Sequence, residues 1–161
     1  MDQVRYTTLS SPLGDLLLHD HGRGLSGLTF PGHRGAPTPA PGWQHEPAAF
    51  TAVAEQLAAY LAGELTAFAL SLDLRGTELQ RTVWAELCRC PYGRTTTYGE
   101  LARRVGRPGA ARAVAGAVGR NPVAIVVPCH RVIGADGRLT GYAGGLQRKR
   151  WLLAHEGVPV A

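Results

Sequence analysis

No apolar run in this sequence is long enough to cross a bilayer, and the opening stretch MDQVRYTTLS lacks the apolar core of a secretory leader. Those two absences argue against a spanning helix or an exported protein and point to a cytoplasmic address. Cysteine is scarce: the three residues cannot all pair with one another, and none precedes Cys88. This argues against a disulfide framework and for free thiols in a reducing compartment. Carboxylates are also few. Twelve Asp and Glu stand against seventeen Lys and Arg, a formal net charge of +5. Such a balance suits a protein that meets nucleic acid, or an ordinary basic enzyme, and charge alone leaves both open. What is present is a 161-residue chain, 45% hydrophobic and 18% charged. That is enough to bury a core, as one domain or as two small lobes sharing it.

Residues 1–75 read as a small α+β lobe. The segments VRYTTL, GDLLLHD and LSGLTF, separated by turn chemistry at SSPL and HGRG, predict a three-stranded antiparallel meander. Residues 31–47 are a loop, richest in proline and glycine from Pro31 to Trp43. PAAFTAVAEQLAAYLAGE then predicts a helix, with Phe50, Val53, Leu57, Tyr60 and Leu61 on one face and Gly63 near its end. FALSLDLRG alternates like a strand returning to the first sheet.

Residues 76–161 differ in kind. Thr77 and Gln80 have capping-box spacing, followed by Val83, Trp84, Leu87 and Cys88 at helical intervals. Thr97 and Glu100 repeat the pattern at the start of TYGELARRVG, and after RPGA comes AARAVAGAVGRN. Two short helices around a glycine-containing turn form a helix-turn-helix pattern, or any helical hairpin. The second helix is nearly bare, because Arg112 is its only long side chain before Arg120. It suits close approach to a sugar-phosphate backbone with little sequence readout, or packing against its neighbour. VAIVV predicts a buried strand. LQRKRWLLAHEG predicts a closing helix that buries Trp151, Leu152 and Leu153, with Gly157 as its cap. Glu156 sits at the end where the helix dipole disfavours an anion, so it calls for a partner such as an imidazole.

The stretch AIVVPCHRVIGADGRLTGY places Cys129 beside His130, after a proline. Three readings compete: a buried structural thiol, a metal ligand or a nucleophile. A structural zinc site wants four Cys or His ligands, usually in close pairs. Cys88 and Cys90 form only C-x-C, and His19 and His21 fall on a surface strand, which argues against zinc. Burial is the default for cysteine and serves for Cys88 and Cys90. Cys129 has polar, constrained surroundings that suit thiolate chemistry. On an extended backbone neighbouring side chains diverge, so a water would have to link Cys129 to His130 unless the chain turns there.

PCHRV resembles the active-site motif of the O6-alkylguanine-DNA alkyltransferase family. PYGRTTTYGELA, ARAVAGAVGRNP, IVVPCHRVIG, GYAGG and WLLAHEG fall in that family's order, with Asn121 eight residues before Cys129. The likeness is dense from Val83 to Gly157 and weaker before. It implies an α+β protein: an antiparallel sheet lobe with a helix, then a mainly helical lobe with a winged-helix-like helix-turn-helix and the acceptor cysteine. It implies direct-reversal repair, an irreversible transfer of an alkyl group from O6-alkylguanine in duplex DNA to Cys129, with no cofactor and no metal. Activity on O4-alkylthymine stays open. His130 and Glu156 would complete a Cys–water–His–Glu relay, Asn121 would brace the active-site turn, and Tyr98 would assist nucleotide rotation and protonation. Arg112 would fill the gap left by the flipped nucleotide, with Tyr98, Thr97, Ala111 and Ala113 at the DNA. Val132, Tyr142 and Ala143 would line the base pocket. DNA would be met through the minor groove with little sequence specificity, by a monomer in the cytoplasm. Some members hold zinc through cysteines in the first lobe, and this chain lacks them. The alternatives are a non-catalytic lesion-binding relative, a helix-turn-helix regulator with a redox-sensing cysteine, and a Cys-His hydrolase.

Overall fold

A computed structural model describes residues 3–160. Met1, Asp2 and Ala161, which the lobes 1–75 and 76–161 include, lie outside the described residues. The expected meander is present as β1 (Arg5–Leu9), β2 (Leu16–Asp20) and β3 (Leu25–Thr29), paired antiparallel in chain order. Alternation sets the register: Leu16, Leu18 and Asp20 are buried, while Leu17 and His19 between them are not. The sheet is not purely antiparallel. Residues Gln44–His45 form β4, which joins β1 in parallel, giving the order β3-β2-β1-β4. These two residues lie inside the segment 31–47 expected to be loop, and so short a strand carries no periodicity to announce it. Pro47–Phe50 make a 3-10 turn that leads into α1 (Thr51–Leu61), which buries Val53, Leu57 and Tyr60.

The strand expected in FALSLDLRG is a single bridge, Leu72 to Leu25, with the Leu25 amide donating to Ser71 O at 2.9 Å. The rest of the β3 edge is already taken. The Leu28 amide donates to Pro122 O at 2.9 Å, and the Ala124 amide donates to Leu28 O at 3.0 Å. Two segments therefore share one strand edge, and neither has room for a ladder. The same geometry corrects the reading of VAIVV. It bridges once, Val123 to Leu28, and then turns, closed by the Val127 amide on Val123 O at 3.0 Å. Ile125 takes φ 70°, the one positive value among the described non-glycine residues. A buried turn is as apolar as a buried strand, so composition does not separate them.

In the second lobe, α2 (Glu78–Leu87) begins with a complete capping box: Thr77 Oγ1 accepts from the Gln80 amide, and Gln80 Oε1 accepts from the Thr77 amide. Val83, Trp84 and Leu87 are buried, but Cys88, beyond the last helical residue, is exposed rather than buried as its spacing suggested; Cys90 is buried. α3 (Tyr98–Arg104) and α4 (Ala111–Gly119) form the helix-turn-helix. The second capping box is only half made. Thr97 Oγ1 caps the Glu100 amide, while the Glu100 carboxylate pairs with Arg103 and Arg104 instead. The Trp84 indole donates to Ala117 O at 2.8 Å and pins α4 to α2. α4 buries Val114, Ala117 and Val118 and leaves Arg112 and Ala113 exposed, so it has both a packing face and a smooth outer one.

A two-residue parallel ladder joins β5 (Thr96–Thr97) to β6 (Val132–Ile133), and α5 (Leu146–His155) closes the fold. Gly157, at φ +81°, ends α5 in a left-handed cap, with the Val158 amide on Leu153 O at 2.9 Å. Leu18 and Leu28 from the sheet share one apolar core with Val83, Leu87 and Leu152. Burying each such side chain contributes about 1.5–3 kcal/mol. No helix among the described residues is long and apolar enough to cross a membrane.

Candidate active site

Pro128 ends the buried turn, and Cys129–Arg131 form one 3-10 turn. The chain does bend at the Cys129–His130 pair, and all three side chains are drawn inside. Asn121, just beyond α4, stitches this segment together. Its Nδ2 donates to Val127 O at 2.8 Å and to Cys129 Sγ at 3.0 Å, and its Oδ1 accepts from the Val123 amide at 3.0 Å. Burial pushes the Cys129 thiol up; the Asn121 amide, the Lys149 ammonium and the Tyr142 hydroxyl pull it back. At rest the residue is a thiol with partners arranged for the thiolate.

Glu156 explains its own odd position. Its Oε2 accepts from the Tyr60 hydroxyl at 2.6 Å, His130 Nε2 at 2.7 Å and Arg131 at 3.0 Å. Its Oε1 accepts from Arg131 Nε at 2.8 Å and from the Gly93 amide at 3.1 Å. Burial alone would raise this carboxyl, but the hydrogen bonds from His130 and Arg131 hold it well below the ordinary range. An ionised carboxylate only accepts, so His130 Nε2 carries the proton and Nδ1 keeps its lone pair. Burial keeps the imidazole neutral against the pull of Glu156. His130 Nδ1 is buried without a hydrogen-bond partner and makes no direct bond to Cys129.

A cavity of about 200 Å³ reaches Cys129 past Tyr98 of α3, Ala115 and Gly119 of α4, and Asn121, Tyr142 and Ala143. Tyr98 Oη lies 2.8 Å from Thr140 Oγ1. The Tyr142 hydroxyl is buried near the sulfur without a hydrogen bond of standard geometry. Gly144 lets the GYAGG segment close on the first lobe, since a Cβ there would lie 2.5 Å from the Phe30 ring. Val132 does not line the cavity. It lies buried in β6, where its carbonyl accepts from Lys149 Nζ at 2.6 Å. Thr97 caps α3, Ala111 opens α4, and Arg112 and Ala113 lie on its exposed side.

Four participants escaped the sequence reading: Tyr60, Gly93, Arg131 and Lys149. Lys149 is fully buried, and desolvation lowers its pKa to about 8. Its spacing of 149, 152, 153 and 156 on one helix face was the available signal. Among the described residues, no group of three or more His, Cys, Asp or Glu is arranged to hold a metal.

Fold and site together define a protein class: a sheet lobe packed on a helix-turn-helix lobe, with a buried cysteine, backed by a His–Glu pair, at the end of a cavity beside the second helix. The chain belongs to the 6-O-methylguanine DNA methyltransferase family, whose ribonuclease-like domain matches residues 4–74 and whose DNA binding domain matches residues 78–158. It is 54% identical over 153 residues to a methylated-DNA–protein-cysteine methyltransferase of Mycolicibacterium paratuberculosis, covering 95% of this chain and 92% of that protein. It is 47% identical over 152 residues to one from Methanosarcina acetivorans, covering 94% and 97%. The crystal structure of Mycobacterium tuberculosis OGT in complex with DNA superposes with a TM-score of 0.91 at 52% identity, covering 95% of this chain and 93% of that one.

Proposed function

We propose that this protein reverses DNA alkylation directly, moving the alkyl group of O6-alkylguanine onto its own Cys129 once per molecule. The observation that carries this reading is the Cys129 sulfur itself, held by Asn121 at the end of a cavity that opens beside α4. The target carbon is out of reach in a stacked duplex, so the nucleotide must be extruded, at a cost of a few kcal/mol. Exposed Arg112 fills the vacated stack. Thr97, Tyr98, Ala111 and Ala113 meet the DNA around it, and the bare outer face of α4 suits the minor groove with little sequence preference. The two lobes act as units 1–75 and 76–161 of a monomer working in the cytoplasm.

In the transfer, the Cys129 proton passes through a water to His130 Nδ1, and Glu156 stabilises the imidazolium through Nε2–H. The charges of Lys149 and Asn121's amide dipole support the thiolate. Sulfur bonds to the alkyl carbon as the carbon–O6 bond breaks. The electron pair stays on guanine, which takes up a proton with Tyr98 assisting. The product is a thioether, and no group in this site cleaves one.

The test is intact-protein and peptide mass spectrometry after mixing with a duplex that holds one O6-methylguanine. One methyl per protein, on the peptide that carries Cys129, is expected. Bound but unchanged DNA with an unmodified protein would replace this reading with lesion binding alone.

A further inference from the structure

A groove of about 760 Å³ separates the outer face of α4 from the first lobe. One wall is smooth: Gly116 and Gly119 of α4 lead to Arg120, whose guanidinium lies 3.6 Å from where a Gly116 Cβ would be. The other wall carries His19, His21, Ser26 and Thr29 of the sheet lobe and Arg75. Among the described residues no Asp or Glu lines it. The nearby Asp73 carboxylate is engaged by Arg75 at 3.1 Å, and Asp20 by Arg5 at 2.8 Å. Two imidazole nitrogens along the groove, His19 Nδ1 and His33 Nδ1, are buried without a hydrogen-bond partner. Burial, helped by the neighbouring charges of His21 and Arg75, brings the His19 pKa down to about 4, so its ring is neutral and unspent. Arg75 brings its own counterion and meets a phosphate by exchanging Asp73 for it, while Arg34 and Arg120 are the groove's other cations.

The groove adjoins the alkyl cavity. His33, Arg34, Ala115, Gly119 and Asn121 line both. These shared residues make the groove continuous with the cavity, so a strand whose base enters the cavity has a path along it for its phosphates. Nothing in the DNA-repair reading above assigns the first lobe a part in binding, and this inference rests on that reading. We propose that the groove holds the sugar-phosphate backbone of the lesion-bearing strand beside the extruded nucleotide, clamped between Arg120 at the end of α4 and His19, His21 and Arg75 of the first lobe. The sheet lobe is then half of the DNA clamp.

The test replaces each phosphate flanking the lesion, one at a time, with a neutral methylphosphonate and measures duplex affinity for the wild-type protein and for Arg75→Gln, Arg120→Gln and His21→Glu. In the wild type one or two positions beside the lesion should weaken binding several-fold. At those positions the arginine variants, already weaker, should lose little more, because the two changes remove one contact. Each arginine variant should also lower the slope of log affinity against log salt by about 1. His21→Glu should bind the natural duplex more weakly and recover on the substituted one. Equal losses in all four proteins at every position, with unchanged salt slopes, overturn the clamp. Methylphosphonates under Thr97 and Arg112 should hurt all four proteins; if those too have no effect, it is the DNA-binding reading that fails. Unfolding midpoints equal to the wild type's exclude misfolding as the cause.

Discussion

Asn121 Nδ2 lies 3.0 Å from the Cys129 sulfur and 2.8 Å from the Val127 carbonyl oxygen, so one amide both folds the active-site turn and touches its nucleophile. The amide's orientation follows from its other end, which accepts from the Val123 amide. A donor aimed at sulfur favours the thiolate over the thiol. The same three bonds span the turn in which Ile125 holds a left-handed φ, a conformation that costs a β-branched residue about 1–3 kcal/mol.

Asn121→Ala should therefore fail twice. Leaving the Val123 amide unpaired in the interior, while Val127 O keeps only its bond from the Cys129 amide, costs roughly 1–3 kcal/mol, readable in urea unfolding. The Cys129 thiol should also titrate higher, followed by its thiolate absorbance. Stability within about 0.5 kcal/mol of wild type would mean that the turn holds without the amide.

Glu156→Gln keeps the shape of the carboxylate and removes its charge. Arg131 is then a buried cation without a counterion, a loss of about 3–5 kcal/mol. Alkyl transfer, timed in single-turnover mixing, should slow at least tenfold because nothing charged steadies the imidazolium. Tyr60→Phe withdraws one donor from the same oxygen and should cost only about 1.5–3 kcal/mol, with a smaller kinetic effect.

Lys149→Met separates reactivity from stability. A buried ammonium replaced by an apolar side chain of similar length is often neutral or better for stability. The unfolding free energy should stay within about 1 kcal/mol, the unpaired Val132 carbonyl offsetting the relief of desolvation. Cys129, losing the nearby positive charge, should react more slowly with a small haloacetamide. Unchanged thiol reactivity would make Lys149 a packing residue only.

Acid should destabilise the protein in two stages. Burial holds His130 below its ordinary 6.5, so the unfolded state binds the proton first. The stability tied to neutral His130 is complete above pH ~6.5 and is lost as pH falls below that value. His19, at about 4 when folded, contributes in the same direction over the same window. Glu156 is a carboxyl held low, so its contribution is present above ~4.3 and is lost as pH falls further. Calorimetric melting temperatures should decline from pH 6.5 and drop more steeply below ~4.5. A flat profile between pH 7 and 5 would contradict the neutral, buried state of His130.

The sequence is legible where the chemistry is local. Thr77 and Gln80 announce the start of α2, and alternation announces β1 to β3, because both signals lie within a few residues. Cys129, His130, Asn121 and Glu156 stand out by type and order. Tyr60, Gly93 and Arg131 reach Glu156 from 96, 63 and 25 residues away, and only packing brings them there. VAIVV misleads because burial, not backbone geometry, dictates its composition. Glu100 misleads because Arg103 and Arg104 compete for its carboxylate more strongly than the helix cap does.

The sharing of the β3 edge has a consequence for cooperativity. Leu28 bonds through both its amide and its carbonyl to Pro122 and Ala124, residues of the other half of the chain. A chain severed near residue 75 would leave one fragment with the Leu28 end of its β3 edge uncovered and the other with an unsupported nucleophile loop. Neither half owns a finished interior. Heat should melt the molecule in a single transition whose calorimetric and van't Hoff enthalpies agree, with the sheet and the helix-turn-helix failing together.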